Sequence, residues 1–187
     1  MKVKAKAKRD AAAGQSFVNE HCAYRDLSKP DRRALRATLA TAFPLGGGTH
    51  KLWSDFPDTT AFLRRRTGPH GDDLPEGVIG GAIVMSYPEA QYDYLAYIAI
   101  RPDYRRQRAF LRHNAPRPHH GTALLHSVYD VMRGRIGATR LQQYLMIEPS
   151  SEEAMKFYLR ALPVNDYPLK FFSEDRIILV GYDGFTL

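Results

Sequence analysis

Hydrophobic positions along the 187 residues fall into short apolar runs and stripes of four-residue spacing, and these two periods predict the elements. "SFVNEHCAYRDL", starting at Ser16, carries β-branched and aromatic residues and predicts a strand. "SKPDRRALRATLATAF" follows with the signals of a helix start. Ser28 can cap it, Pro30 suits its first turn, and Leu35, Leu39 and Phe43 recur every four residues. "PLGGGTH" then breaks the chain, and "KLWSDFPDTTAFLRRRT" predicts a second, less regular helical stretch interrupted by Pro57. Beyond the polar "GPHGDDLPEG", the runs "VIGGAIVMSY" and "YDYLAYIAIRP" predict a hairpin of two strands.

The clearest helical patterns come next. "GTALLHSVYDVMRGR" puts Leu124, Leu125, Val128, Val131 and Met132 on one stripe, and "SSEEAMKFYLRAL" does the same with Ala154, Met155, Tyr158, Leu159 and Leu162. Between them "RLQQYLMIEP" reads as a strand. "PLKFFS" and "RIILVGYDGF" read as two more, with "EDR" as the turn. The order strand, two helices, strands, helix, strand, helix, two strands predicts an α/β (α+β) chain. Helical crossovers favour parallel pairing and hairpins favour antiparallel pairing, so a central mixed sheet flanked by helices is expected.

Composition narrows the picture. The length suits one domain, expected over residues 16–187, after a flexible basic tail over 1–15 that opens "MKVKAKAKRD". Cys22 stands alone, so it offers neither an intramolecular disulfide nor a zinc quartet. No apolar run reaches the roughly 18 residues of a membrane span, and the N-terminus lacks the apolar core of a signal peptide, so a cytoplasmic protein without a membrane partner is expected. The net charge is +7, yet the basic residues are not interleaved with aromatics as on a nucleic-acid platform. No specific nucleic-acid partner is expected. The chain is compatible with a homodimer.

The junction "HHGTALLHSVYDVM" raises three readings: a metal site, a phosphate cradle, or simply the start of a helix. A helix N-terminus presents unpaired amides and a positive dipole end, and "RPDYRRQ" upstream adds mobile cations, a combination that suits a diphosphate. A helix that merely begins on a small residue is the plainer alternative. His113, His119, His120 and His126 match no closed zinc pattern, and adjacent histidines point apart, so no metal is expected.

Taken together, "YLAYIAIRPDYRRQ", "HGTALL" and "LMIEPSSEEAMKFYLRA" resemble the GNAT superfamily of acyl-CoA-dependent N-acetyltransferases. The resemblance extends in element order over residues 17–185. It implies a GNAT-like fold and acetyl-CoA as the acyl-donor substrate. It also implies a cofactor-binding set made of Ile98, Ala99 and Ile100 at a strand end, Arg105, Arg106 and Gln107 opening a loop, and His120, Gly121, Thr122 and Ala123 closing it. Ser151 stands at the position of the family's asparagine, and Tyr158 at that of the residue that protonates the departing thiolate. The sequence departs from the family by an insertion over residues 108–119, with His119 where a loop glycine would fall.

Acyl transfer from a thioester to an amine needs a base for the amine, a donor to the oxyanion, and an acid for the thiolate. Tyr158 is the expected acid. The resemblance assigns the oxyanion to an amide within Ile98–Ile100. Glu148, at a strand end, is the candidate base, with Asp93 and Glu89 as alternatives. Tyr24, Trp53, Tyr92, Tyr94 and Tyr97 are candidates for lining the acceptor pocket. Cys22 precedes the first helix and lacks an identifiable histidine partner, so direct transfer without a covalent enzyme intermediate is expected. The acceptor is a primary amine on a small molecule, peptide or protein lysine. A non-catalytic GNAT-like module that binds acyl-CoA or a partner is the alternative reading.

Overall fold

The computed structural model describes residues 16–46, 48–67, 77–105, 108–110, 116–135 and 143–182. The expected tail lies outside them. A seven-stranded sheet dominates, in the order β1 (Ser16–Ala23), β2 (Thr59–Thr67), β3 (Val78–Tyr87), β4 (Tyr92–Ile100), β7 (Tyr144–Ile147), β9 (Ile177–Gly181) and β8 (Leu169–Phe172). Every pairing in it is antiparallel except that of β4 with β7. The expected mixed sheet is therefore present. A separate two-stranded ribbon, β5 (Arg108–Phe110) with β6 (Pro116–His119), occupies the insertion.

Four α-helices flank the sheet among the described residues. They are α1 (Lys29–Ala40), α2 (Thr49–Asp55), α3 (His120–Gly134) and α4 (Glu152–Ala161). Helix α1 starts as its sequence dictates: Ser28 Oγ accepts the Asp31 amide at 3.2 Å, with Pro30 in the first turn. Ser151 caps α4 in the same way, accepting the Ala154 amide at 3.1 Å.

Each face of the sheet carries its own apolar cluster. Leu35 and Leu39 of α1 and Trp53 of α2 bury against Leu63, Ile83 and Met85. On the other face, Leu124, Leu125, Val128 and Met132 of α3, with Tyr158 and Ala161 of α4, bury against Phe62, Val84, Leu95 and Leu145. Alternation along β3 sends Ile83 to one cluster and Val84 to the other.

The helical stretch expected from Lys51 through Thr67 is a correction. Its first part is α2, but Pro57 closes the helix and the chain re-enters the sheet as β2 from Thr59. Running between β1 and β3, β2 is buried on both faces from Thr59 to Arg64. Buried on both faces, β2 has no apolar–polar alternation, and its threonines and arginines interrupt any apolar run, which is why period alone misassigned it.

Gly81 lets α1 and β2 close on β3. A side-chain carbon at Gly81 would collide with Leu35 Cδ1 and sit 3.2 Å from the Phe62 carbonyl oxygen. Gly81→Ala should therefore lower the unfolding free energy by about 1–3 kcal/mol through overpacking. Urea denaturation measures this, and an unchanged midpoint would show that α1 shifts freely.

Candidate active site

The parallel pairing of β4 with β7 lasts for only four residue pairs, from Tyr92 with Tyr144 to Leu95 with Ile147. Beyond Leu95, β4 runs on to Ile100 without β7 beside it, while the chain after Ile147 turns toward α4. The strands part and leave a cleft. At the parting point β4 carries a bulge: Val84 faces Leu95 and Ile83 faces Tyr97, so Ala96 has no partner on β3.

Beyond the bulge the backbone direction is fixed. The Arg101 amide donates to the Ile79 carbonyl of β3 at 2.8 Å. Because amides alternate between the two edges of a strand, Ala99 and Tyr97 also point to β3, whereas Ile98 and Ile100 face the cleft. The Ile100 carbonyl faces the same way and accepts Arg105 Nε at 2.8 Å.

The cleft encloses a cavity of about 840 Å³, large enough for an extended cofactor. Among the residues proposed from sequence, Ile98, Ala99, Ile100, Arg105, Gly121, Thr122, Glu148, Ser151 and Tyr158 line it. Arg106 and Gln107 lie outside the described residues. Arg105 is also committed structurally, since its Nη2 donates to the carbonyl and hydroxyl of Thr41 at 3.1 and 3.2 Å and ties the end of α1 to the end of β4.

The helix-start reading of "HHG" resolves into separate parts. His119 is the N-cap of α3, with φ −53° and ψ 151°, backbone open to any residue, and its side chain reaches the cavity wall. Gly121 faces Phe157 of α4. A side-chain carbon there would lie 3.3 Å from the ring, so the glycine serves close helix approach. His120 turns away from the cavity and is only 1% exposed. Its Nδ1 accepts Arg64 Nε at 3.0 Å, while Arg64 Nη1 donates to Asn19 Oδ1 at 2.8 Å and Asn19 Nδ2 donates to the Ala123 carbonyl at 3.1 Å. Ala123 thus belongs to this anchoring network rather than to the cavity wall. The histidines do not converge, since His126 Nε2 bonds the Ala161 carbonyl at 2.6 Å, and His113 lies outside the described residues. Among the described residues no three His, Cys, Asp or Glu side chains group as metal ligands.

The acid–base candidates separate clearly. Tyr158 is buried in the cavity wall, and burial, then the neighbouring Tyr94, push its phenol well above the usual range. Glu148 is exposed at the cavity mouth, where its Oε2 accepts the Tyr94 hydroxyl at 3.2 Å. Burial and the Glu148 carboxylate push the Tyr94 phenol up to about 12, so it keeps its proton. Asp93 is fully buried, accepting Ser86 Oγ at 2.5 Å and the Tyr182 hydroxyl at 2.8 Å; it is a structural carboxylate and no base for a substrate. Glu89 sits in the exposed β3–β4 turn, at the opposite end of β4 from the cleft.

Of the aromatic candidates, Tyr97 lines the cavity, and Tyr24 and Trp53 are core residues in edge contact at 5.5 Å. Tyr92 stacks between Tyr87 and Tyr144. Cys22 lies on β1, outside the cavity wall, with its thiol pushed up by burial. Sequence reading missed Phe43, which follows α1, and Phe157 of α4, both in the wall. Phe157 had a signal, adjacent to Tyr158 in the helix motif; Phe43 had only its place on a helix stripe.

The overall fold is shared with known structures. The crystal structure of Tetrahymena GCN5 aligns with 91% of this chain and 98% of its own, at 13% identity and a TM-score of 0.57. The chain has the GNAT acetyltransferase fold. The GNAT fold recurs in N-acetylglutamate synthase from Neisseria gonorrhoeae, solved with coenzyme A and L-arginine, which matches at 15% identity and a TM-score of 0.53 over 91% of this chain and 34% of that longer one. An aminoglycoside acetyltransferase from an uncultured soil metagenomic sample, solved with sisomicin, matches at 12% identity and a TM-score of 0.51 over 79% of this chain and 88% of its own. No family model matches the chain, and no curated protein matches it in sequence.

The buried imidazole makes a testable demand. Burial, then the Arg64 charge, lower the His120 pKa from 6.5 to about 4, so the folded state binds fewer protons than the unfolded one between those values. Stability is then full above pH 6.5 and falls as pH drops toward 4, by roughly 3 kcal/mol from this group. His120→Gln, which keeps an acceptor for Arg64, should flatten that part of the curve in urea unfolding from pH 7 to 4. Parallel curves for the two proteins would remove His120 from the linkage.

Proposed function

We propose that the protein is an N-acetyltransferase that moves the acetyl group of acetyl-CoA directly to a primary amine. The observation that carries this reading is the free edge of β4 beyond the bulge, with the Ile98 and Ile100 amides facing a cavity that ends at the start of α3. An extended amide chain such as pantetheine pairs naturally with an open strand edge. The helix start beside it, where the side chain of the N-cap His119 makes no capping hydrogen bond, suits the diphosphate. Arg105 and Arg160 line the cavity with cations, and Glu148 and Glu153 line it with carboxylates, which fits an anionic donor meeting a cationic acceptor.

In this reading the Ile98 amide donates to the thioester carbonyl and stabilises the oxyanion as it forms. Glu148 takes the proton that the amine must lose. Tyr158 gives its proton to the departing sulfur. The burial that raises the phenol also disfavours a bare thiolate in the same cavity, so donor and acceptor remain matched. The half-buried Cys22, outside the wall, has no part in the transfer. The acceptor class is an amine on a small molecule, peptide or protein lysine, in keeping with the aminoglycoside named for one structural neighbour.

Two measurements test this. Gly121→Asp would press on Phe157 and set a carboxylate at the α3 start, and calorimetry should show coenzyme A affinity falling at least tenfold; unchanged affinity would move the diphosphate elsewhere. Tyr158→Phe should keep coenzyme A affinity while kcat falls about a hundredfold to ten-thousandfold. Turnover at the parental rate would leave Tyr158 as packing only. Coenzyme A binding by a protein that acetylates no amine in a broad panel would favour the non-catalytic module.

A further inference from the structure

The hydroxyl of Tyr94 donates to one carboxylate oxygen of Glu148, Oε2, at 3.2 Å. The two residues come from neighbouring strands: Tyr94 from β4, paired in register with Met146 of β7, and Glu148 from two positions beyond Met146. Alternation puts Tyr94, Met146 and Glu148 on the same face. That is the face opposite Asp93 and Leu145, which are buried beneath α3 and α4. Glu148 itself is exposed at the end of its strand, where a free glutamate would sample many rotamers.

We infer that Tyr94 is a positioning residue for acetyl transfer, holding the Glu148 carboxylate at the cavity mouth by one oxygen and leaving the other oxygen, Oε1, to receive the acceptor amine. The inference rests on the reading of Glu148 as the base. Tyr94 is suited to the role because it is half-buried and retains its proton, so it acts as a donor only and does not compete for the amine proton. The other titratable groups around the cavity are Tyr97 of β4, Tyr158, Glu153 and Arg160 of α4, Arg105 after β4 and His119 at the α3 start. Among the described residues, the hydrogen bond to Glu148 comes from Tyr94. The chemistry balances: the acetyl carbon forms its bond to nitrogen and loses its bond to sulfur, the amine proton passes to Glu148, the Tyr158 proton passes to sulfur, exchange with water resets both side chains, and Tyr94 ends the turnover as it began.

A double-mutant cycle on the full chain tests the inference with acetyl-CoA and an amine that the parent acetylates. Tyr94→Phe should lower kcat/KM about tenfold, the loss of one hydrogen bond to a charged group, while coenzyme A affinity stays unchanged. Glu148→Gln should lower it about a hundredfold. Combining the two should cost no more than Glu148→Gln alone, because Tyr94 acts only through that carboxylate. If Tyr94→Phe weakens the fold, its loss multiplies on both backgrounds, and such multiplication overturns the inference, as does a Tyr94→Phe enzyme at the parental rate. Glu148→Gln at the parental rate would overturn the base assignment together with the role of Tyr94. A slow Glu148→Gln beside a normal Tyr94→Phe would overturn the role of Tyr94 alone.

Discussion

The parting of β4 from β7 is the constraint on which the rest of this structure depends. Sheets tend to pair every backbone group they bury, and here a buried strand gives up its partner midway along its length. The bulge at Ala96 fixes where the separation begins. Beyond it, the edge of β4 presents amides to a cavity instead of to another strand. The floor of α3 and α4 on one side and the end of α1 on the other keep the two strands from closing up again. The site is a gap in the sheet ladder that the surrounding elements hold open.

Holding that gap requires firm attachment of the elements around it. Arg64, Asn19 and His120 pin the first turn of α3 to β1 and β2. Phe17 seals the imidazole in edge contact at 4.4 Å. Arg105 bridges the β4 terminus and Thr41 after α1. Neither attachment is a surface ion pair. Both use guanidinium groups to satisfy neutral acceptors, in buried or partly buried positions for Arg64 and for the Ile100 carbonyl, where a missing bond is costly, and in an exposed one at Thr41.

Much of the fold was legible in the sequence because its helices carry clean stripes and its hairpins clear turns. Helix α3 is read from Leu124, Leu125, Val128 and Met132, and all four are buried. Strand β2 was hidden because Phe62, Leu63 and Arg64 are buried on both of its faces, and a run of arginines does not announce an interior strand. The cavity wall was legible where local motifs specify it, at Ile98–Ile100, Gly121 and Tyr158. The roles of Asp93 and His120 were not. Sequence gives a carboxylate and an imidazole no sign that Tyr182, 89 residues away, or Arg64, 56 residues away, will claim them.

The pairing that defines the cleft joins distant parts of the chain. The turns that join β3 to β4 and β8 to β9 span a few residues, whereas Leu95 meets Ile147 across about fifty residues of intervening chain. Closing so long a loop costs more entropy, and non-local parallel contacts form late relative to hairpins. At this pairing the sheet divides into two parts that are each continuous in sequence, β1 to β4 and β7 to β9. The cleft is the seam along which they are joined, and neither part contains it alone.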